Sequence, residues 1–85
     1  MSRKEKLSAR FLEQPKDFTW DELRRLVKGF GFVEMKSGKT GGSRRKFSNS
    51  DGLILSFHKP HPGNIVKMYV LKDLKEFLIH EGYLK

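Results

Sequence analysis

Apolar residues recur at helical spacing in three stretches of this chain, and three shorter stretches between the second and third alternate as strands do. Ser2 and Glu5 have the S-x-x-E spacing of a capping box, and Leu7, Phe11 and Leu12 follow at helical intervals. The pattern predicts a first helix running to about Gln14, where Pro15 stops it. Thr19-Trp20-Asp21-Glu22 repeats the capping signal. Beyond it Trp20, Leu23, Leu26, Val27 and Phe30 form one apolar stripe, with Arg24, Arg25 and Lys28 on the other side. Gly29 and Gly31 end this second helix. A last helix is expected from about Val70, with Leu71, Leu74, Phe77 and Leu78 on one face and Gly82 as its C-terminal cap.

The strand segments are Phe32–Lys36, Ser43–Asn49 and Leu53–His58. A loop containing Gly38, Gly41 and Gly42 separates the first two. Ser50-Asp51-Gly52 joins the second and third, as a three-residue hairpin loop with glycine in the left-handed position. That loop predicts a register in which Asn49 faces Leu53, Phe47 faces Leu55, Arg45 faces Phe57 and Arg44 faces His58. Because side chains alternate, Phe47, Leu53, Leu55 and Phe57 share a core face. Arg44, Lys46, Ser48, Ile54, Ser56 and His58 then share the opposite, outward face. Arg45 falls at the edge of the apolar face, from which its guanidinium is expected to snorkel outward.

Helix, helix, three strands joined by short turns, and a helix describe an α+β domain. The expected sheet is an antiparallel meander with helices packed on one face. Trp20, Phe30, Phe32 and Phe77 are read as core, whereas Tyr69, just before the last helix, is left open between core and nucleotide contact. The chain's 85 residues suffice for one domain with a modest core. It contains no cysteine, so no disulfide or thiolate metal site reinforces it, and this suits a reducing compartment. The charged start Met-Ser-Arg-Lys-Glu-Lys has no apolar leader region, and no run reaches the roughly 18 apolar residues of a membrane span. The expectation is a cytoplasmic protein without membrane attachment.

Charge changes the picture more than composition does. The net charge is +8, from 18 Lys and Arg against 10 Asp and Glu. Residues 36–67 hold seven of those bases (Lys36, Lys39, Arg44, Arg45, Lys46, Lys59, Lys67) and a single acid, Asp51. The excess therefore belongs to one segment, which covers the central strands. Clustered bases gain affinity for phosphate backbones by counterion release, so the segment is read as a polyanion site rather than a merely solvated face. Lys39, Ser43, Arg44, Lys46, Lys59 and Lys67 are the candidate RNA contacts. The Gly38–Gly42 loop lacks the spacing of a P-loop; its glycines let backbone approach a phosphate.

Within the segment, Arg44 and His58 should stand about 5 Å apart at Cβ. Histidine exchanges protons near neutral pH, and RNA is cut without metal when a base deprotonates the 2′-hydroxyl for attack on its own phosphate. His58 or His61 fits the proton-transfer role, with Arg44, Lys46 and Lys59 stabilising charge on the phosphate. A guanidinium beside the ring disfavours a second positive charge and favours the neutral, proton-accepting form. The bland alternative is that both histidines are exposed and simply help to hold phosphate. His58 and His61 are spaced H-x-x-H, but no carboxylate or thiol accompanies them, and neither metal nor cofactor is expected. His80, flanking the last helix's stripe, is read as structural or exposed. Ile79, turned away from that stripe, hints at a contact surface.

Gly29-Phe30-Gly31-Phe32, Lys39-Thr40-Gly41-Gly42-Ser43 leading into strand two, and the closing helix Val70–Leu78 together resemble the HicA family of toxin components. The resemblance spans about residues 19–82. It implies a compact α-β-β-β-α fold akin to double-stranded-RNA-binding domains, over residues 19–85, with residues 1–18 as an N-terminal helical extension. It also implies a ribosome-independent mRNA interferase held inactive by a cognate HicB-like antitoxin. In the family, the strand-two motif is Gly-Ser-His, with that histidine taken as catalytic; here it reads Gly42-Ser43-Arg44. His58, beside Arg44 in the expected register, is the substitute. The expected function is thus a metal-independent endoribonuclease acting on mRNA. A non-catalytic RNA-binding module of the same fold and a plain protein-interaction domain are the alternatives.

Overall fold

The structure is a computed structural model that describes residues 3–35, 44–60 and 63–84. Its elements are α1 (Arg3–Leu12), α2 (Trp20–Gly29), β1 (Val33–Glu34), β2 (Arg44–Ser48), β3 (Ile54–His58) and α3 (Met68–His80). The sheet is antiparallel, in the order β1-β2-β3. The expected α+β architecture is present.

Two helix ends are built alike, and the sequence shows why. After α2, Gly31 takes φ +96°, its N–H reaches the Lys28 carbonyl, and Phe32 N–H reaches Val27. After α3, Gly82 takes φ +85°, its N–H reaches Ile79, and Tyr83 N–H reaches Leu78. Both are Schellman closures, which need a residue comfortable at positive φ just beyond the helix. Each glycine is followed by an aromatic residue, and the two rings, Phe32 and Tyr83, meet at 5.6 Å between centroids. The closures thus turn both chain exits into the same core. Phe32 is buried just ahead of β1, which is shorter than the expected strand.

The core face of the sheet carries Phe47, Leu55 and Phe57, all buried. Trp20 of α2 packs on Phe47 and Phe57, and Leu71, Leu74 and Leu78 of α3 complete the same cluster. The opposite face is uncovered among the described residues: Arg44, Lys46, Ile54, Ser56 and His58 are exposed. This one-sidedness follows from the alternation of the strands.

Several boundaries differ from expectation. α3 begins at Met68, two residues before Val70, because residues 63–67 are already anchored. Trp20 N–H donates to the Asn64 carbonyl at 2.7 Å, Val66 N–H donates to Phe18 at 2.8 Å, and Thr19 bridges Ile65. α1 ends at Leu12 rather than near Gln14; Gln14 adopts φ +52° and breaks the helix before Pro15. The Ser2 half of the first capping signal lies outside the described residues.

The first helix packs against the rest. Phe11 is fully buried against Phe18, and Arg10 reaches from α1 to the capping box of α2. Arg10 Nε donates to Glu22 Oε2 at 2.7 Å, and its Nη2 donates to Asp17 Oδ1 at 3.0 Å. Glu22 meanwhile accepts from Thr19 N–H at 3.0 Å, while Thr19 Oγ1 accepts from Glu22 N–H at 3.2 Å. The Arg10 hydrogen bond, helped by Thr19, holds the Glu22 carboxyl below its ordinary pKa against a desolvation that pushes it up. A lowered carboxyl pKa stabilises the fold above the unfolded value, and the contribution fades as pH falls through the folded one. Arg10→Ala is therefore expected to lower the melting temperature at neutral pH. The gap from wild type should begin to narrow in the ordinary carboxylate range and close only below it, once Glu22 is protonated in the folded wild type as well.

Candidate functional site

β2 and β3 pair in the register that the hairpin loop implies: Arg44 with His58, Arg45 with Phe57, Lys46 with Ser56, Phe47 with Leu55 and Ser48 with Ile54. Gly52 takes φ +84° in the loop. Asn49 locks the turn, since its Oδ1 accepts from Asp51 N–H at 3.0 Å and Leu53 N–H at 2.9 Å. Its Nδ2 donates to Tyr83 Oη, tying the hairpin to the end of α3. The positions of Arg44 and His58 are thus set by a turn more than ten ångströms along the strands.

On the outward face, Arg44 Nη2 lies 3.4 Å from His58 Nε2. Arginine has donors only, so a hydrogen bond between the two requires the Nε2 lone pair as acceptor. Lys46 projects from the same face two residues along β2, and Lys59 continues directly from β3; both are exposed. Arg44, Lys46 and His58 therefore share one face, with Lys59 at the strand end. Lys67 stands apart, exposed at the N-cap of α3. Lys39, Ser43, His61 and the Gly38–Gly42 loop lie outside the described residues.

Arg45 behaves differently from its neighbours. Its Nε is 3.7 Å from Glu34 Oε2, and Glu34 Oε1 also lies 3.7 Å from Arg24 Nε of α2. Instead of snorkelling into solvent, Arg45 leans on a carboxylate that β1 brings to the same side of the sheet. It belongs to the support of β2, not to the basic face. His80 is exposed beside Glu81, at 3.8 Å, well along α3 from the sheet residues.

A groove of about 270 Å³ runs beside this face, between β3 and α3. Ile54, Ser56 and His58 border it on the strand side, and Tyr69, Asp73 and Phe77 on the helix side. Tyr69 is 58% exposed, so its ring is accessible from the groove. The groove itself was not foreseen; only the exposed Tyr69 pointed towards it. Ile79, with Met68 and Tyr69, lines a separate depression on the outer side of α3.

Among the described residues, no three His, Asp or Glu side chains gather as a metal site, and no helix is long and apolar enough to cross a membrane. Searches of curated proteins and of solved structures gave no match to the chain. The sequence model described as HicA toxin of bacterial toxin-antitoxin does match, over residues 20–79, from the first residue of α2 almost to the end of α3. That span covers well over half of the chain, including the whole sheet, and the chain belongs to the HicA family of toxin components of toxin–antitoxin systems.

Proposed function

We propose that the chain is a metal-independent mRNA endoribonuclease, acting in the cytoplasm and neutralised by a cognate HicB-like antitoxin. The observation that carries this reading is the Arg44–His58 contact on an uncovered basic face. Residues 1–18 would serve as an extension to the family domain.

The contact suggests how substrate engages the site. A phosphodiester offers Arg44 two oxygens in a geometry that its planar fork matches, and both bonds are charge-assisted. Turning to the phosphate draws the guanidinium off His58 and releases the Nε2 lone pair. Nε2 then takes the proton of the 2′-hydroxyl as the 2′-oxygen bonds to phosphorus. The bond from phosphorus to the 5′-oxygen breaks, and that oxygen takes a proton from an acid, the role proposed for His61. The products are a 2′,3′-cyclic phosphate and a free 5′-hydroxyl. Lys46 and Lys59 offset the charge that builds on the phosphoryl oxygens, with Lys39, Ser43 and Lys67 as further RNA contacts.

Purified protein incubated with RNA and excess EDTA is expected to yield fragments ending in 2′,3′-cyclic phosphate. Arg44, standing where the family carries histidine, favours a second reading: a member that binds RNA and does not cut it. Intact RNA after incubation, with binding retained, would select that reading. Five cations on phosphate (Lys39, Arg44, Lys46, Lys59 and Lys67) predict that affinity for single strands falls about 130-fold from about 50 to 200 mM salt. Salt-independent binding would count against both.

A further inference from the structure

The outer edge of β3 is open among the described residues, and the hydrogen-bond pattern says which groups it offers. Asn49 N–H donates to the Leu53 carbonyl, so this pair bonds across the hairpin. Bonded and non-bonded pairs alternate in an antiparallel ladder, so Ser48–Ile54 and Lys46–Ser56 are non-bonded pairs. Met35 N–H donates to the Lys46 carbonyl at 2.8 Å, which confirms that Lys46 turns its backbone to β1, away from β3. Ile54 and Ser56 therefore direct their N–H and C=O groups outward, into the groove.

Three features of that groove bear on its occupant. It lies between an open strand edge and a helix, an arrangement that receives an extended peptide as an added strand. Its helix wall is largely apolar, through Val70, Leu74 and Phe77. His58 borders it directly, with the Arg44 guanidinium 3.4 Å from that ring, Lys46 one strand further in on the same face and Lys59 next in the chain after β3. A second copy of this chain would bring the same cations edge to edge, and like charges directly opposed are unfavourable. An added strand instead places alternate side chains beside Ile54, Ser56 and His58 and the rest against α3. Acidic residues fit the first set. Apolar residues fit the second, where Asp73 disfavours another acid.

We infer that the β3 edge and the α3 groove bind an extended protein segment alternating acidic and apolar residues, which joins the sheet as a fourth strand. Assigning that segment to the antitoxin rests on the function proposed above; the strand addition does not. Its acidic side chains would lie next to His58, whose ring the Arg44 guanidinium reaches from β2, in the place of RNA phosphate. Occupying the edge would thereby block the site without any change of fold.

The test uses an eight-residue peptide alternating Glu and Val, and the same peptide N-methylated at alternate residues. The two carry equal charge, but the second lacks the donors that face β3. The unmodified peptide is expected to slow hydrogen exchange at the Ile54 and Ser56 amides at least tenfold, and the methylated one to leave exchange unchanged. In the protein, Ser56→Pro removes an outward N–H without breaking the ladder to β2, and an edge position tolerates it. This variant should keep its far-UV circular dichroism and lose peptide binding. If it unfolds, the paired peptides decide. Equal binding of the two peptides, or none, would overturn the inference. So would protection of these amides by an RNA oligonucleotide or by self-association in place of the peptide. All these readouts are independent of RNA cleavage, so an inactive protein that still adds the strand would contradict the catalytic reading alone.

Discussion

Alanine at position 58 is expected to lower RNA cleavage by about 10²- to 10⁴-fold, the usual contribution of a positioned proton-transfer group. His58 is exposed on β3, so the substitution leaves no cavity and should not disturb the core. RNA affinity should fall much less than the cleavage rate, because Arg44, Lys46 and Lys59 remain. Arg44→Ala should weaken both, and Arg44→Lys should rescue affinity better than rate. An ammonium keeps the charge but loses the planar fork that engages two phosphate oxygens. Single-turnover cleavage measured beside binding separates these effects. A His58→Ala protein that is folded and cleaves at the wild-type rate would remove His58 from the mechanism.

The second large effect concerns the support beneath that face. Phe47 is completely buried, with Trp20 at 6.2 Å and Phe57 at 5.9 Å between ring centroids. Phe47→Ala should cost about 3–5 kcal/mol, through lost burial and the cavity left among rings that cannot collapse onto it. A domain of 85 residues has only about 4–13 kcal/mol in total. The melting temperature should therefore fall by more than about 12 °C, and a large unfolded fraction is expected at growth temperature. Lys46→Ala, next in the chain but outward-facing, should change stability by less than about 0.5 kcal/mol. The contrast, read by thermal denaturation, checks the alternation of β2 one residue at a time. Phe47 also holds β2 in register, so its loss would scatter Arg44 and His58 even in molecules that stay compact.

The β2–β3 pairing was legible in the sequence because two local rules agree. A three-residue loop with glycine at positive φ sets the offset, and the alternation of Phe47, Leu55 and Phe57 allows only one face to be buried. A slip of one residue would turn the apolar side chains of one strand to the solvent face. From that register the Arg44–His58 contact follows without further information. Helix boundaries were legible where their signals are local, as at the Thr19–Glu22 capping box and at Gly31 and Gly82. The start of α3 was not, since Met68 joins the helix only after Asn64 and Val66 have bonded to Trp20 and Phe18, some 45 residues earlier in the chain. The Arg10–Glu22 bond between α1 and α2, and the Arg45–Glu34 pair, are likewise choices of partner among several charges of equal sequence appeal. The groove between β3 and α3 depends on how a helix lies against a sheet, which no periodicity encodes.

Everything proposed for the site depends on RNA meeting the face that Arg44, Lys46 and His58 share. Nuclear magnetic resonance titration with a 2′-O-methylated RNA, which binds but cannot be cleaved, tests this directly. The largest shifts are predicted at the Arg44 side chain, the His58 ring nitrogens and the amides of β2 and β3, with the Nε2 signal reporting loss of its arginine donor. Shifts clustered on α1 and the outer side of α3, with Arg44 and His58 unmoved, would contradict the account.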